Sequence, residues 1–169
     1  MKTIAFVGLG AMGRPMARNL LKAGFAVRGH DVNPAALEDL EAAGGTPTGS
    51  AKEAFTGADV IVLMVVNAVQ AEAALFSGGA LDAAPAGTIV CLMATCPPKQ
   101  VETIAERVAA TGRRFVDSPV SGGVVGATAG SLTIMAAAPR TCSRRHGPCS
   151  RPWAAAPCMS GIGPGRAPP

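Results

Sequence analysis

Residues 3–13 read Thr3-Ile4-Ala5-Phe6-Val7-Gly8-Leu9-Gly10-Ala11-Met12-Gly13. The first five form a continuous apolar run closed by glycine, the pattern of a strand buried on both faces of a parallel sheet. Residues 8–13 match G-x-G-x-x-G. From Ala11 to Ala23 the chain carries helix formers with apolar residues at Met12, Met16, Leu20 and Ala23, and Gly24 stops it. In such a strand, turn and helix each glycine has its own task. The first permits the tight turn, the second lets the backbone approach a pyrophosphate, and the third lets helix pack closely on strand. Free N–H groups and the positive end of the helix dipole then face the phosphates. The spacing predicts a dinucleotide cradle made of Gly8, Leu9, Gly10, Ala11, Met12 and Gly13.

Phe25 to His30 reads as a second strand and delivers Asp31, 18 residues after Gly13. A carboxylate there accepts hydrogen bonds from the adenosine ribose hydroxyls and repels a 2′-phosphate, which favours NAD over NADP. Arg28 and His30 lie near enough to soften that discrimination. Asn33 is the better N-cap for the helix whose first turn holds Pro34 and whose apolar residues are Leu37, Leu40 and Ala43, closed by Gly44-Gly45. Asp59 to Val66 and Gly87 to Met93 read as further strands. Val69 to Phe76 and Pro97 to Thr111 read as helices, and Arg114 to Val116 as a short strand ending at Asp117. Strand and helix units in alternation with short connections predict an α/β protein, a Rossmann-type doubly wound parallel sheet with helices on both faces. No internal repeat and no linker precedes residue 139.

Ligands in this architecture bind at the carboxyl ends of the strands. Three segments fall there: Val66-Asn67, Thr95 within Ala94 to Pro97, and residues 117–123. In the last, Ser121, Gly122 and Gly123 bring a hydroxyl and two unhindered N–H groups into one loop, suited to a carboxylate. A plain glycine turn is the alternative.

A length of 169 residues suits one domain, and 4% aromatics against 49% hydrophobic residues make any core aliphatic. No apolar run is long enough for a membrane span, and Met1-Lys2 leads straight into a strand without a signal peptide, so a soluble cytoplasmic protein is expected. The net charge of +4 does not signal nucleic acid. Residues 1–138 hold 10 Lys+Arg against 11 Asp+Glu, whereas residues 139–169 hold five Arg and no acid. The excess belongs to the tail, which also carries Cys142, Cys149 and Cys158 and lacks helical or strand periodicity.

Over residues 2 to about 138 the sequence resembles the N-terminal NAD-binding domain of the 3-hydroxyisobutyrate dehydrogenase family of β-hydroxyacid dehydrogenases. The matching segments are FVGLGAMGRPMARNLLKAG, Asp31, DVIVLMVVN, the Thr95-x-Pro97 turn, DSPVSGG and GSLTIM. Val66-Asn67-Ala68-x-Gln70-x-Glu72 with Leu75-Phe76 is similar to the L-threonate dehydrogenase branch. The resemblance implies that residues 8–13 hold the pyrophosphate, Asp31 the adenosine ribose and Val66-Asn67 the cofactor near its middle. Thr95 lies at the nicotinamide end, and Ser121, Gly122 and Gly123 bind the carboxylate of a small hydroxy acid. The implied reaction is hydride transfer from the 3-hydroxyl carbon to NAD, with a lysine ammonium helping to move the hydroxyl proton. The Ser121-Gly122-Gly123 loop argues for a carboxylate substrate and against reduction of an imine.

That lysine belongs on the first long helix leading to an all-helical domain, and Lys2, Lys22, Lys52 and Lys99, the four lysines present, do not match its motif. The catalytic lysine and the helical domain are therefore expected to be absent. The chain is then a truncated cofactor-binding domain, or a binding-only remnant without turnover. Family dimers use helices lying further on, so a homo-oligomer is expected only of a full-length protein. After GSLTIM the family continues with an acidic-then-apolar helix, a strand and a glycine-rich turn. The tail PRTCSRRHGPCSRPWAAAPCMSGIGPGRAPP does not. Read from the third base of each codon plus the first two of the next, it permits that continuation, so a frameshift near codons 136–139 is expected, with 1–138 the dinucleotide-binding domain and 139–169 a non-native tail. A zinc set from Cys142, His146, Cys149 and Cys158 has no recognised spacing, and the arginines lack the aromatic interleaving of a nucleic-acid surface. Neither a metal nor a nucleic-acid partner is expected, and Cys91 reads as a small core residue and Cys96 as a turn residue.

Overall fold

The apolar run that opens the chain is strand β1 (Thr3–Val7), with β2 (Ala26–His30) parallel to it on one side and, on the other, the later strand at Val60–Leu63. The computed structural model describes residues 1–139 and 153–155. With β3 (Thr46–Pro47), β4 (Val60–Leu63), β5 (Ile89–Leu92) and β6 (Arg114–Asp117) the spatial order is β3-β2-β1-β4-β5-β6, all parallel. The order reverses between β1 and β4. A crevice opens at such a switch point beyond the carboxyl ends of the strands, and the glycine-rich turn leaves β1 into it.

Side chains alternate across the sheet, and both sides are covered. Ile4, Phe6, Val27, Val62, Cys91 and Val116 pack with Met16, Ala17 and Leu20 of α1 (Gly13–Lys22) and with Ala36 and Leu40 of α2 (Pro34–Ala42). Ala5, Val7, Ile61, Leu63, Val90, Leu92 and Phe115 pack on the opposite side. Their partners there come from α3 (Ala51–Phe55), α4 (Ala68–Phe76) and α5 (Pro98–Ala110). Burial on both faces is why the strands read as unbroken apolar runs, and each buried aliphatic side chain contributes roughly 1.5–3 kcal/mol.

The predicted doubly wound parallel sheet is present, with shorter elements than the apolar runs suggested. β4 ends at Leu63, because Met64 and Val65 leave the sheet to pass over the glycine turn. α1 starts at Gly13 rather than Ala11, since residues 10–12 are used in the turn, where the Arg14 N–H donates to the Gly10 carbonyl at 3.1 Å. Asn33 caps α2 as expected, accepting from the Ala35 N–H at 3.1 Å. The segment 117–123 is more ordered than a loop. Val120–Ser121 is a short strand β7, paired antiparallel with β8 (Thr133–Ile134), and Gly123–Ala129 is a helix, α6.

Beyond β6 the sheet turns antiparallel through β9 (Ala137–Pro139), to which the backbone of β10 (Trp153–Ala155) pairs. A three-residue stretch of the tail thus has strand form despite its lack of periodicity, because antiparallel pairing at an edge needs only a partner backbone. The rest of the tail, including Cys142, His146, Cys149 and Cys158, lies outside the described residues. Among the described residues no helix is long and apolar enough to cross a membrane.

Candidate functional site

The three glycines of the first turn meet three different surroundings. Gly8 has φ +93°, and a Cβ there would lie 2.3 Å from the Met64 carbonyl oxygen, so the turn is pressed against the end of β4. A Cβ on Gly13 would lie 1.9 Å from the Gly8 carbonyl oxygen and 3.2 Å from Phe6, which is helix packed on strand at its closest. Around Gly10 nothing lies within 4 Å of where a Cβ would sit. The second glycine therefore answers to no protein neighbour. The open space at its exposed backbone is what an approaching pyrophosphate requires, so the residues present fit a dinucleotide.

Leu9, fully buried between these glycines, anchors the turn, and its N–H points outward to Asp31. Asp31 Oδ2 accepts from the Leu9 N–H at 2.6 Å, and Oδ1 accepts from the Asn33 N–H at 2.8 Å. The carboxylate is thereby fixed in rotamer at the edge of the crevice, its charge held by two backbone donors. Ala11 and Met12 complete the turn, Ala11 exposed and Met12 packed on the α1 side of the sheet.

Across the switch point, Val66 is 79% exposed and Asn67 is the N-cap of α4. The Asn67 side chain accepts from the Gln70 N–H at 3.0 Å, while Gln70 Oε1 accepts from the Val66 N–H at 3.0 Å. Asn67 thus caps α4 through its side-chain oxygen, and both it and Val66 are exposed. Val32 and Val69, 94% and 71% exposed, stand in the segments that flank the turn on either side. They were not singled out from the sequence, where isolated valines beside a strand end look like core residues.

Thr95 is exposed, past the end of β5 and before α5. Cys91 is buried in the sheet as expected, and Cys96 is half-buried. Burial pushes the Cys96 thiol up from its ordinary value, and the negative charge of Asp117 adds to the rise, so it is no activated nucleophile. Asp117, at the carboxyl end of β6, is raised by burial, and its Oδ1 is buried without a hydrogen-bond partner. Folding that raises a carboxyl pKa makes the native state hold more protons than the unfolded one. Stability then falls as pH rises from the ordinary carboxylate range through the raised value. Asp117→Asn should therefore melt above the wild type at neutral pH, with the gap closing as pH falls to about 4. A gap independent of pH in thermal melts would refute this origin.

Ser121, Gly122 and Gly123 are exposed at the junction of β7 and α6, Ser121 in register with Thr133. Gly122 is the N-cap of α6 with φ 128°, and the first-turn N–H groups that follow have no carbonyl within the helix to bond. The expected loop is thus a helix start, with Ser121, Gly122 and Gly123 all exposed at it. Among the described residues no cluster of His, Cys, Asp and Glu could hold a metal ion.

The sequence profile of the NAD binding domain of 6-phosphogluconate dehydrogenase matches residues 3–163. L-Threonate dehydrogenase of Cupriavidus necator is 42% identical over 139 residues, 82% of this chain and 47% of that protein. NAD-dependent L-serine dehydrogenase of Pseudomonas aeruginosa is 42% identical over 136 residues, 80% of this chain and 46% of that protein. A solved structure of Mycobacterium tuberculosis 3-hydroxyisobutyrate dehydrogenase with L-serine superposes with a TM-score of 0.77 at 37% identity, covering 80% of this chain and 46% of the other. The chain spans about half the length of the relatives it matches. The chain belongs to the family of the NAD binding domain of 6-phosphogluconate dehydrogenase, and within it is similar to 3-hydroxyisobutyrate and L-threonate dehydrogenases.

Proposed function

We propose that these residues form the cofactor half of an NAD-dependent dehydrogenase acting on a small 3-hydroxy acid of the L-threonate or 3-hydroxyisobutyrate kind. One observation carries the reading: a carboxylate braced 2.6 Å from the Leu9 N–H, beside a glycine whose surroundings are open. Gly8 to Gly13 cradle the pyrophosphate, and Asp31 accepts from the ribose hydroxyls and repels a 2′-phosphate, which selects NAD over NADP. Val66 and Asn67 border the middle of the cofactor, and Thr95 its nicotinamide end. Ser121, Gly122 and Gly123 donate to the substrate carboxylate. When bound, NAD accepts a hydride from the carbon bearing the hydroxyl.

Moving the hydroxyl proton requires a general base, and none of Lys2, Lys22, Lys52 and Lys99 stands among the residues just named. The 169-residue polypeptide by itself therefore binds without turning over, with 1–138 as the dinucleotide-binding domain and 139–169 as the product of a shifted reading frame. Calorimetric titration of the purified chain with NAD and NADP, beside an assay for NAD-linked oxidation of L-threonate and 3-hydroxyisobutyrate, tests both parts. NAD should bind more tightly than NADP, and neither acid should be oxidised. Tighter binding of NADP would sink the role given to Asp31, and robust oxidation would sink the claim of no turnover. Resequencing the gene from codon 130 onward decides the frame.

A further inference from the structure

Asn19 lies midway along α1, half-buried, with its amide turned away from its own helix. Its Nδ2 donates to the Ala127 carbonyl at 2.8 Å and to the Thr128 carbonyl at 3.5 Å, reaching a segment 108 residues further along the chain. Both acceptors belong to the last turn of α6, where carbonyls run short of helical N–H partners, and the Ala127 carbonyl otherwise meets only the Gly130 N–H at a long 3.4 Å. Gly130 follows in a left-handed conformation, and a Cβ there would come within 3.4 Å of the Asn19 nitrogen. The amide thus fills the notch that this glycine leaves.

Little else holds α6. Its buried residues are Gly126 and Ala127, and its outer face carries Val124 and Val125, 49% and 83% exposed. Leu132 lies 3.2 Å from where a Cβ on Gly122 or Gly126 would sit, so one face of the helix packs through glycine. Gly-Val-Val-Gly-Ala-Thr-Ala is also a poor helix former. A helix of seven residues with so little buried side chain depends on whatever satisfies its ends.

The tether joins two parts of the site. α1 begins at Gly13, the last glycine of the cradle, and Asn19 is six residues on, about 9 Å along a rigid axis. α6 begins at Gly123, in the segment that carries Ser121 and Gly122. We propose that Asn19 is a positioning residue, whose amide clamps the carbonyl end of α6 to the cofactor helix and so holds the Ser121–Gly123 donors at a fixed place relative to the glycine cradle. This rests on the reading of Ser121, Gly122 and Gly123 as the carboxylate site. The chemistry of the side chain is specific: one NH2 group serves two carbonyls, whereas a carboxylate of the same shape has only acceptors to offer.

Asn19→Asp and Asn19→Gln in the full chain test the clamp, the second keeping the donor on a longer stem. Hydrogen exchange of residues 123–129 should speed up about tenfold in Asn19→Asp while residues 13–22 stay within about twofold of the wild type, and Asn19→Gln should recover part of the protection. Affinity for 3-hydroxyisobutyrate, measured on NAD-saturated protein, should fall about tenfold in Asn19→Asp with NAD affinity within about twofold. Unchanged exchange in α6, or NAD and acid affinities falling in parallel, would overturn the clamp. If the wild type takes up no hydroxy acid, the carboxylate reading fails on that result, and exchange in α6 alone decides whether Asn19 holds the helix.

Discussion

Gly13→Ala should destabilise the protein by about 3 kcal/mol and abolish measurable NAD binding. The added methyl would sit 1.9 Å from the Gly8 carbonyl oxygen and 2.9 Å from its carbon, and backbone on that side cannot swing aside as a side chain would. Gly8 is itself pinned. Its N–H donates to the His30 carbonyl at 3.1 Å, and the Met64 carbonyl oxygen lies 2.3 Å from where its own Cβ would be. Relief must come from lifting α1 off the sheet, which uncovers Phe6, Met16 and Leu20, all buried in the shared core. Urea denaturation and calorimetric titration with NAD read the two effects separately. Gly10→Ala is the contrast, because nothing lies within 4 Å of its Cβ position. That variant should unfold near the wild-type midpoint, within about 1 kcal/mol for an exposed turn position, yet bind NAD poorly because the methyl takes the cofactor's space. Gly13→Ala with wild-type stability would contradict the packing described for this turn.

Asp31→Ala should weaken NAD binding by roughly 100-fold, the equivalent of one or two charge-assisted hydrogen bonds at about 1.5–3 kcal/mol each. Two losses coincide. On the proposed role the ribose loses its acceptor, and the Leu9 and Asn33 N–H groups lose the oxygens they meet at 2.6 and 2.8 Å. Asp31→Asn separates them, since it keeps an oxygen for one backbone donor and removes the charge. Its NAD affinity should fall less, and its preference for NAD over NADP should narrow, because nothing then repels the 2′-phosphate. Paired titrations with both dinucleotides are the measurement. An unaltered NAD to NADP ratio in Asp31→Asn would mean that the carboxylate does not select the cofactor.

The strand, turn and helix at residues 3–22 were legible because each signal there is local. Glycine spacing, apolar runs and the acid at position 31 depend on neighbours within one βαβ unit. Strand ends were not legible, because a strand buried on both faces shows no change of pattern where the sheet stops, as at Leu63-Met64. β3 and α3 are two and five residues long, too short to carry a period. Residues 120–123 read as one loop, with a plain glycine turn as the alternative, since the helix that follows draws order from Leu132 and from Asn19, the latter more than a hundred residues away. The position of Asp31 was readable, but its hold on the Leu9 N–H was not, since that bond depends on how far the turn folds back over β2. For the same reason the capping duty of Asn67 was hidden behind its place at a strand end.

The strand order has a consequence for how the chain acquires its shape. β1 is made first and ends at the centre of the sheet, where Ile4 pairs with Val27 on one side and Val60 on the other. During synthesis one edge of Thr3–Val7 can be covered early by β2, while the other waits for residues 60–63 to emerge. Until then an apolar, uncharged strand presents a bare row of backbone donors and acceptors, the kind of edge on which other chains add. Distant pairing of this sort also slows the final closure. Nascent chains from which β2 but not yet residues 60–63 have emerged are consequently where this protein is most exposed to aggregation, and where a chaperone has most to protect.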